Sequence, residues 1–208
     1  MFERLLGWFS PEGAVGCSGE ELLACIDPLP VGFPDLVIRF AGATFGGGLY
    51  RLYGPEAIAT WTAVATHVFP ELEGRILCFG MNWLGYQFAL DVEREEGGEP
   101  LVLMLDPSVG EAVEIPGTFV EFHEDVLLEY TDPVLGSGMF EVWRAAGHPA
   151  PSDGWCAGYR VPLFLGGEDD PSNLWLTDAE VYWSLSGELR AKPGLPAPGV
   201  TTGDAQGA

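Results

Sequence analysis

At 208 residues, with 47% hydrophobic and 12% aromatic content, the chain can bury the core of one compact domain. Nine basic against 31 acidic residues leave a formal charge of −22, with Lys192 the only lysine, so the clustered cations that phosphate backbones and anionic lipids require are missing and a basic protein partner is favoured. No apolar run reaches the roughly 20 residues of a membrane span, and MFERLLGWFSPEG carries acid, Gly and Pro where a signal peptide keeps its apolar stretch, so a soluble, cytoplasmic protein is expected.

Ser18 and Glu21 form an S-x-x-E capping box ahead of LLACI, a short helix that Pro28 and Pro30 end. Pro34 to Phe40 follows as a second helix, with Leu36, Val37 and Phe40 at helical spacing. Three glycines at 46–48 break the pattern, and Leu49 to Tyr53 alternates like a strand. Pro55 and Glu56 open a helix to Val68 whose inner face is Ile58, Trp61, Ala65 and Val68.

Arg75 to Gly80 reads as a strand. The run from Trp83 to Asp91 reads as a half-buried one, Leu84, Tyr86, Phe88 and Leu90 inward and Gly85, Gln87, Ala89 and Asp91 on the other face. Glu93 to Glu99 is predicted as a polar hairpin loop, Leu101 to Pro107 as a central strand, and Glu111 to Pro116 as the next. A second capping box, Thr118 and Glu121, starts a helix with Phe119, Phe122, Val126 and Leu127 inward. Asp132 and Pro133 begin another, weakened by Gly136 and Gly138. A Pro- and Gly-rich loop, HPAPSDGWCAG, leads to an edge strand in YRVPLFLGG, and a third capping box, Thr177 and Glu180, opens a helix with Val181, Tyr182 and Leu185 inward.

This order predicts an α+β fold: a central antiparallel sheet of about five or six strands flanked by helices, in a single domain spanning 1–192, with a disordered Pro/Gly-rich tail at 193–208.

Catalytic signals are missing. The glycine-rich AGATFGGGLY has no GK[ST] and precedes a strand, and no G-x-S-x-G or H-E-x-x-H occurs. Cys17, Cys25, Cys78 and Cys156 are scattered and read as buried free thiols; with His67, His123 and His148 they give no metal spacing. No catalytic, cofactor-binding or metal-ligating residue is therefore expected, and a hydrolase built on Asp91 and Asp106 is the least favoured reading. Trp143 and Trp183 sit in amphipathic helices and read as core. Trp155 and Trp175 lie in acidic, loop-like surroundings, and with Glu168, Asp169 and Asp170 they would set aromatic anchors inside an acidic rim. Glu93, Glu95 and Glu96 offer a second acidic surface.

The order of Leu29, Pro30, Leu36 and Phe40, then Gly48 to Arg51, then Phe79, Gly80, Leu84, Gly85, Phe88 and Asp91 resembles bacterial immunity proteins of the SUKH superfamily (cell-wall-assembly-regulator-like) and the neighbouring GAD-like immunity families of type VI secretion. The turn at Asp106, Pro107 and Gly110, the helix that opens at Phe119, and PLFLGGEDDPSNLWLTDAEVYW continue it, so the likeness covers roughly 29–190. The resemblance implies one α+β domain without a cofactor that binds and neutralises a toxin encoded beside it; many such toxins are nucleases with a basic site. A regulatory or scaffolding module of the same fold, with no toxin involved, is the alternative. These families bind through variable surfaces, so the likeness transfers no functional residue.

Overall fold

In the computed structural model, residues 1–23, 29–192 and 199–202 are described. The chain opens with α1 (Glu3–Trp8), whose ERLL run is made of good helix formers with Glu3 in the first turn. Its amides are satisfied from far away: Glu124 Oε1 accepts from the Leu5 backbone N–H at 3.1 Å, while Leu5 is buried. After the short β1 (Pro11–Glu12), the first capping box forms as the sequence predicts. The Ser18 amide donates to Glu21 Oε2 at 2.7 Å and the Glu21 amide to Ser18 Oγ at 3.2 Å, opening α2 (Gly19–Leu23). The predicted continuation through Cys25 lies outside the described residues. Next come α3 (Phe33–Phe40), β2 (Thr44–Phe45), β3 (Tyr50–Leu52) and α4 (Pro55–Val68), which buries Ile58, Trp61, Ala65 and Val68 as its periodicity requires.

Four long strands carry the middle of the molecule: β4 (Ile76–Asn82), β5 (Gln87–Glu96), β6 (Glu99–Asp106) and β7 (Glu111–Thr118). Strands β1 to β7 pair with their sequence neighbours, all antiparallel. The sheet is thus wider than the five or six strands predicted, because the two-residue β1 and β2 are too short to show a period. β5 also departs from the predicted half-buried strand. It starts at Gln87, and Gln87, Ala89 and Asp91 are as buried as Phe88 and Leu90. Both faces are covered: Gln87 Oε1 accepts from the Tyr53 hydroxyl, whose ring stacks on Trp61 of α4, while Phe88 on the other face meets Phe122 at 4.9 Å. The predicted loop 93–99 is instead a continuation of β5 and β6 around Gly97 and Gly98, whose φ of 62° and 85° gives the left-handed two-residue turn that matches strand twist.

The second capping box also forms, the Thr118 amide donating to Glu121 Oε2 at 2.8 Å. It starts a helical run made of α5 (Phe119–Glu121), a π segment (Phe122–Val126) and α6 (Leu127–Glu129). Replacing Glu121 by Ala is expected to cost about 1 kcal/mol of stability, read from the urea midpoint, since the Thr118 amide then loses its acceptor. The next predicted helix is broken at Gly136 into α7 (Thr131–Leu135) and α8 (Ser137–Ala145).

The predicted edge strand in YRVPLFLGG is a bend and a short 3₁₀ turn, Leu163–Leu165. The strand lies earlier, β8 (Trp155–Tyr159), and pairs antiparallel with β9 (Leu174–Asp178) as a separate two-stranded ribbon. That pairing draws Thr177 into the ribbon opposite Cys156, so the cap of α9 (Ala179–Arg190) moves one residue on, Asp178 Oδ1 accepting from the Val181 amide at 2.9 Å. Tyr182 and Trp183 then turn inward, whereas Val181 and Leu185, predicted inward, are exposed.

Within the stretch predicted as a tail, Gly199–Thr202 is β10, which pairs parallel with β7 as the last strand of the eight-stranded sheet, while 193–198 and 203–208 lie outside the described residues. Val200 and the two threonines suit a strand, and β7 offers an open edge. The whole is one α+β domain.

Candidate functional site

The predicted partner-binding residues fall in separate places. Trp155 and Trp175 are both exposed, at 41% and 47%. In the ribbon Trp155 stands opposite Asp178 and Trp175 opposite Gly158, which puts the two indoles on alternate faces. Glu168, Asp169 and Asp170 are exposed as predicted, but their loop is tied down: the Tyr159 hydroxyl donates to Asp169, and Asp170 Oδ1 accepts from the Ser172 amide at 2.8 Å. Glu93, Glu95 and Glu96 line the far end of β5, about 20–30 Å from the Gln87 end on which the ribbon rests through the Ala157 amide and the Trp83 carbonyl. The two acidic groups therefore do not form one surface.

The structure brings together a different set. A cleft of about 600 Å³ lies where the first turns of α4 and α9 meet the 15–17 and 153–154 segments. Glu21, Glu56, Asp153, Asp178 and Glu180 line it, and Trp61, stacked on Tyr53, forms part of its wall. Of Glu56, Asp153, Asp178 and Glu180, only Asp153 pairs with a cation among the described residues, Arg51 at 3.8 Å. Trp155 shares the ribbon face of Asp178, beside this cleft. From Asp178 and Glu180 the depression continues along α9 past Val181, Ser184 and Leu185. Val181 and Leu185, 51% and 50% exposed, make a short apolar stripe at helical spacing. An acidic basin thus opens onto an apolar rim with an exposed tryptophan next to it.

Sequence spacing offered no route to this set, because its members come from four distant segments. The one local signal was the pair Val181 and Leu185, which helical periodicity assigned to the core. Among the described residues no three His, Cys, Asp or Glu side chains are grouped to hold a metal, and no helix is long and apolar enough to cross a membrane.

Groups with chemical potential elsewhere are occupied by structure. Asp91 is fully buried against Arg75, whose Nε and Nη2 donate to its two oxygens at 2.7 and 2.6 Å. Asp106 accepts from the Ser108 amide and hydroxyl at 2.7 and 2.6 Å, and burial pushes its carboxyl above the usual range. Asp91 faces Leu101 and Asp106 lies five residues further along β6, a separation of about 17 Å. The two carboxylates are apart, as expected, and so do not form the acid–base pair that the hydrolase reading needs, but they are buried where a separated, exposed pair was expected. Cys78 and Cys156 are buried free thiols, both pushed upward by burial, Cys78 to about 12. Cys17 is only half-buried, its thiol set against the Val37 carbonyl at 3.7 Å.

No family model matches the sequence, nor does any curated protein. Among solved structures the fold is similar to the crystal structure of Atu4351 from Agrobacterium tumefaciens, with a TM-score of 0.64 at 14% identity over 95% of this chain and 96% of that one. At that identity the likeness speaks to the fold, and it covers the domain from end to end.

Proposed function

We propose that this chain is an immunity-type protein that binds and neutralises a basic, nuclease-like toxin, with the cleft between α4 and α9 as its contact surface. The observation that carries the reading is the cleft itself: among the described residues its Glu56, Asp178 and Glu180 pair with no cation, in a chain of charge −22, next to an exposed tryptophan and an apolar stripe. Charge of this sign would steer a cationic partner, and an exposed tryptophan beside it is a common anchor of binding energy. The ordered motifs shared with SUKH-like immunity proteins supply the biological setting.

The test is co-expression with the toxin-like product of an adjacent gene, followed by binding kinetics. Rescue of growth and a complex whose association slows steeply with salt are expected. Glu56→Gln, Asp153→Asn and Glu180→Gln together should lower the association rate at low salt by about tenfold, and Trp155→Ala should cost about 2 kcal/mol of binding. The hairpin triple variant Glu93→Gln, Glu95→Gln, Glu96→Gln serves as the control; if it alone weakens the complex, the contact surface lies at the other end of the sheet. Neither rescue nor a complex would remove the immunity reading.

A further inference from the structure

The outer edge of β7 is the only place where the sheet departs from its antiparallel order, among the described residues. There Gly199, Val200, Thr201 and Thr202 pair in parallel with Glu111, Ala112, Val113 and Glu114. Without this strand β7 would present a row of open N–H and C=O groups, the feature that leads sheets to add foreign strands. Pro116, two residues beyond Glu114, has no N–H and so offers no donor to either neighbouring strand.

The end of α9 is fixed beside that edge. Arg190 is buried in the last turn; its Nη1 donates to the Val109 carbonyl, and its guanidinium lies over the Phe164 ring at 5.1 Å. It also lies so close to Gly110 that any Cβ there would overlap it. Val109 and Gly110 form the turn that opens β7, so this clamp delivers the chain to the start of the strand that β10 pairs with.

We infer that the β7 edge is a strand-docking surface, that residues 199–202 fill it as a replaceable strand, and that its alternative occupant is the same segment of a second copy. Direct pairing of two β7 edges is opposed by charge, since it would bring the exposed Glu111 of each copy together in a molecule of charge −22, Glu114 being already paired with Arg94 at 3.5 Å. The tail strand is neutral and meets β7 in a register that a second chain can reproduce unchanged. Four residues make few hydrogen bonds, each worth about 1 kcal/mol net, so the strand can leave; tethering holds it in place until the protein concentration approaches the millimolar effective concentration of a short linker.

The experiment uses the full chain and the variant Val200→Pro with Thr201→Pro. Successive N–H groups of a strand point to opposite sides, so two adjacent prolines remove a donor to β7 whichever residue supplies it. In the wild type, amides of residues 111–114 should exchange slowly, and sedimentation should show monomer at micromolar and dimer near millimolar concentration. The variant, with unchanged far-ultraviolet circular dichroism, should exchange at least tenfold faster at the alternate amides of 111–114 that face β10, keep the protection of those that face β6, and stay monomeric. A synthetic peptide of residues 195–206, added in excess, should restore protection. Equal exchange in the two proteins would overturn the docking of residues 199–202, and a dimer that persists in the proline variant, or no dimer in the wild type, would overturn the second copy as occupant.

Discussion

Replacing Arg75 by methionine is expected to lower folding stability by about 3 kcal/mol, out of proportion to a residue that lies at the start of a strand. Asp91 is fully enclosed in the middle of the sheet, between Ile76 of β4 and Leu101 of β6, and both of its oxygens are held by the Arg75 fork. That same hydrogen bonding raises the proton affinity of Arg75 above its ordinary value, so the guanidinium stays charged. Removing the guanidinium leaves a buried carboxylate with Arg94 at 3.9 Å and the Glu93 amide at 3.1 Å as its remaining partners. Those two contacts are why the expected loss sits at the lower end of the range for breaking a buried ion pair, about 3–5 kcal/mol. Urea unfolding should show a lower midpoint at unchanged slope. The double variant Arg75→Met with Asp91→Leu should recover most of the loss, because what destabilises the single variant is the stranded charge. A loss below about 1 kcal/mol would mean that water reaches Asp91.

Acid should cost the protein stability through His123. The imidazole is fully buried among Phe2, Phe79, Phe119 and Phe122, on the sheet face opposite α4. Its Nδ1–H donates to the Phe119 carbonyl at 2.8 Å, which leaves Nε2 to accept from the Tyr50 hydroxyl at 2.9 Å. This arrangement satisfies the neutral ring, and burial lowers its pKa from 6.5 to about 3. The unfolded chain therefore takes up a proton that the native state refuses. The stabilisation is fully present above pH 6.5 and is lost as pH falls toward about 3, by at most about 5 kcal/mol at 1.36 kcal/mol per tenfold change in proton affinity.

The many carboxylates of the surface act in the opposite sense, since protonating them relieves the repulsion of a −22 chain. The informative quantity is therefore the difference between wild type and His123→Gln. The variant should be less stable at neutral pH and lose less stability between pH 6.5 and pH 4. Parallel pH profiles would show that His123 does not set this dependence.

The elements that the sequence predicted well are those whose signal is local. Ser18 with Glu21 and Thr118 with Glu121 each make the reciprocal bonds that their spacing promises, and α4 buries the four residues its period selects. Misreadings arise where a distant partner decides. Cys156, Ala157 and Gly158 have little intrinsic preference for a strand, and they become one because β9 pairs with them; the same pairing shifts the α9 cap from Thr177 to Asp178. Gln87 and Asp91 look solvent-facing by alternation, yet each has a partner, the buried Tyr53 and the half-buried Arg75, supplied by other strands or their flanks. For the same reason the cleft was illegible. Glu56, Asp153 and Glu180 are ordinary surface acids in one dimension, and they converge only once α4, the ribbon and α9 are packed together.

The π segment from Phe122 to Val126 gives this packing a particular dependence on chain length. A wider turn within a helix holds one residue more than an α-helical path of the same rise, and each residue of a regular helix advances the direction of its side chain by about 100°. The surplus is taken up where His123 turns toward Tyr50, with Phe119 and Phe122 before it and Leu127 after it all still facing the core. Loss of that single residue would let the stretch close into a regular α-helix with α6 kept on its side, and what would be lost is the wider turn that brings His123 to Tyr50. The helix is therefore specified by spacing as well as by composition, and a related chain would have to keep that extra residue to keep a histidine in the same enclosure.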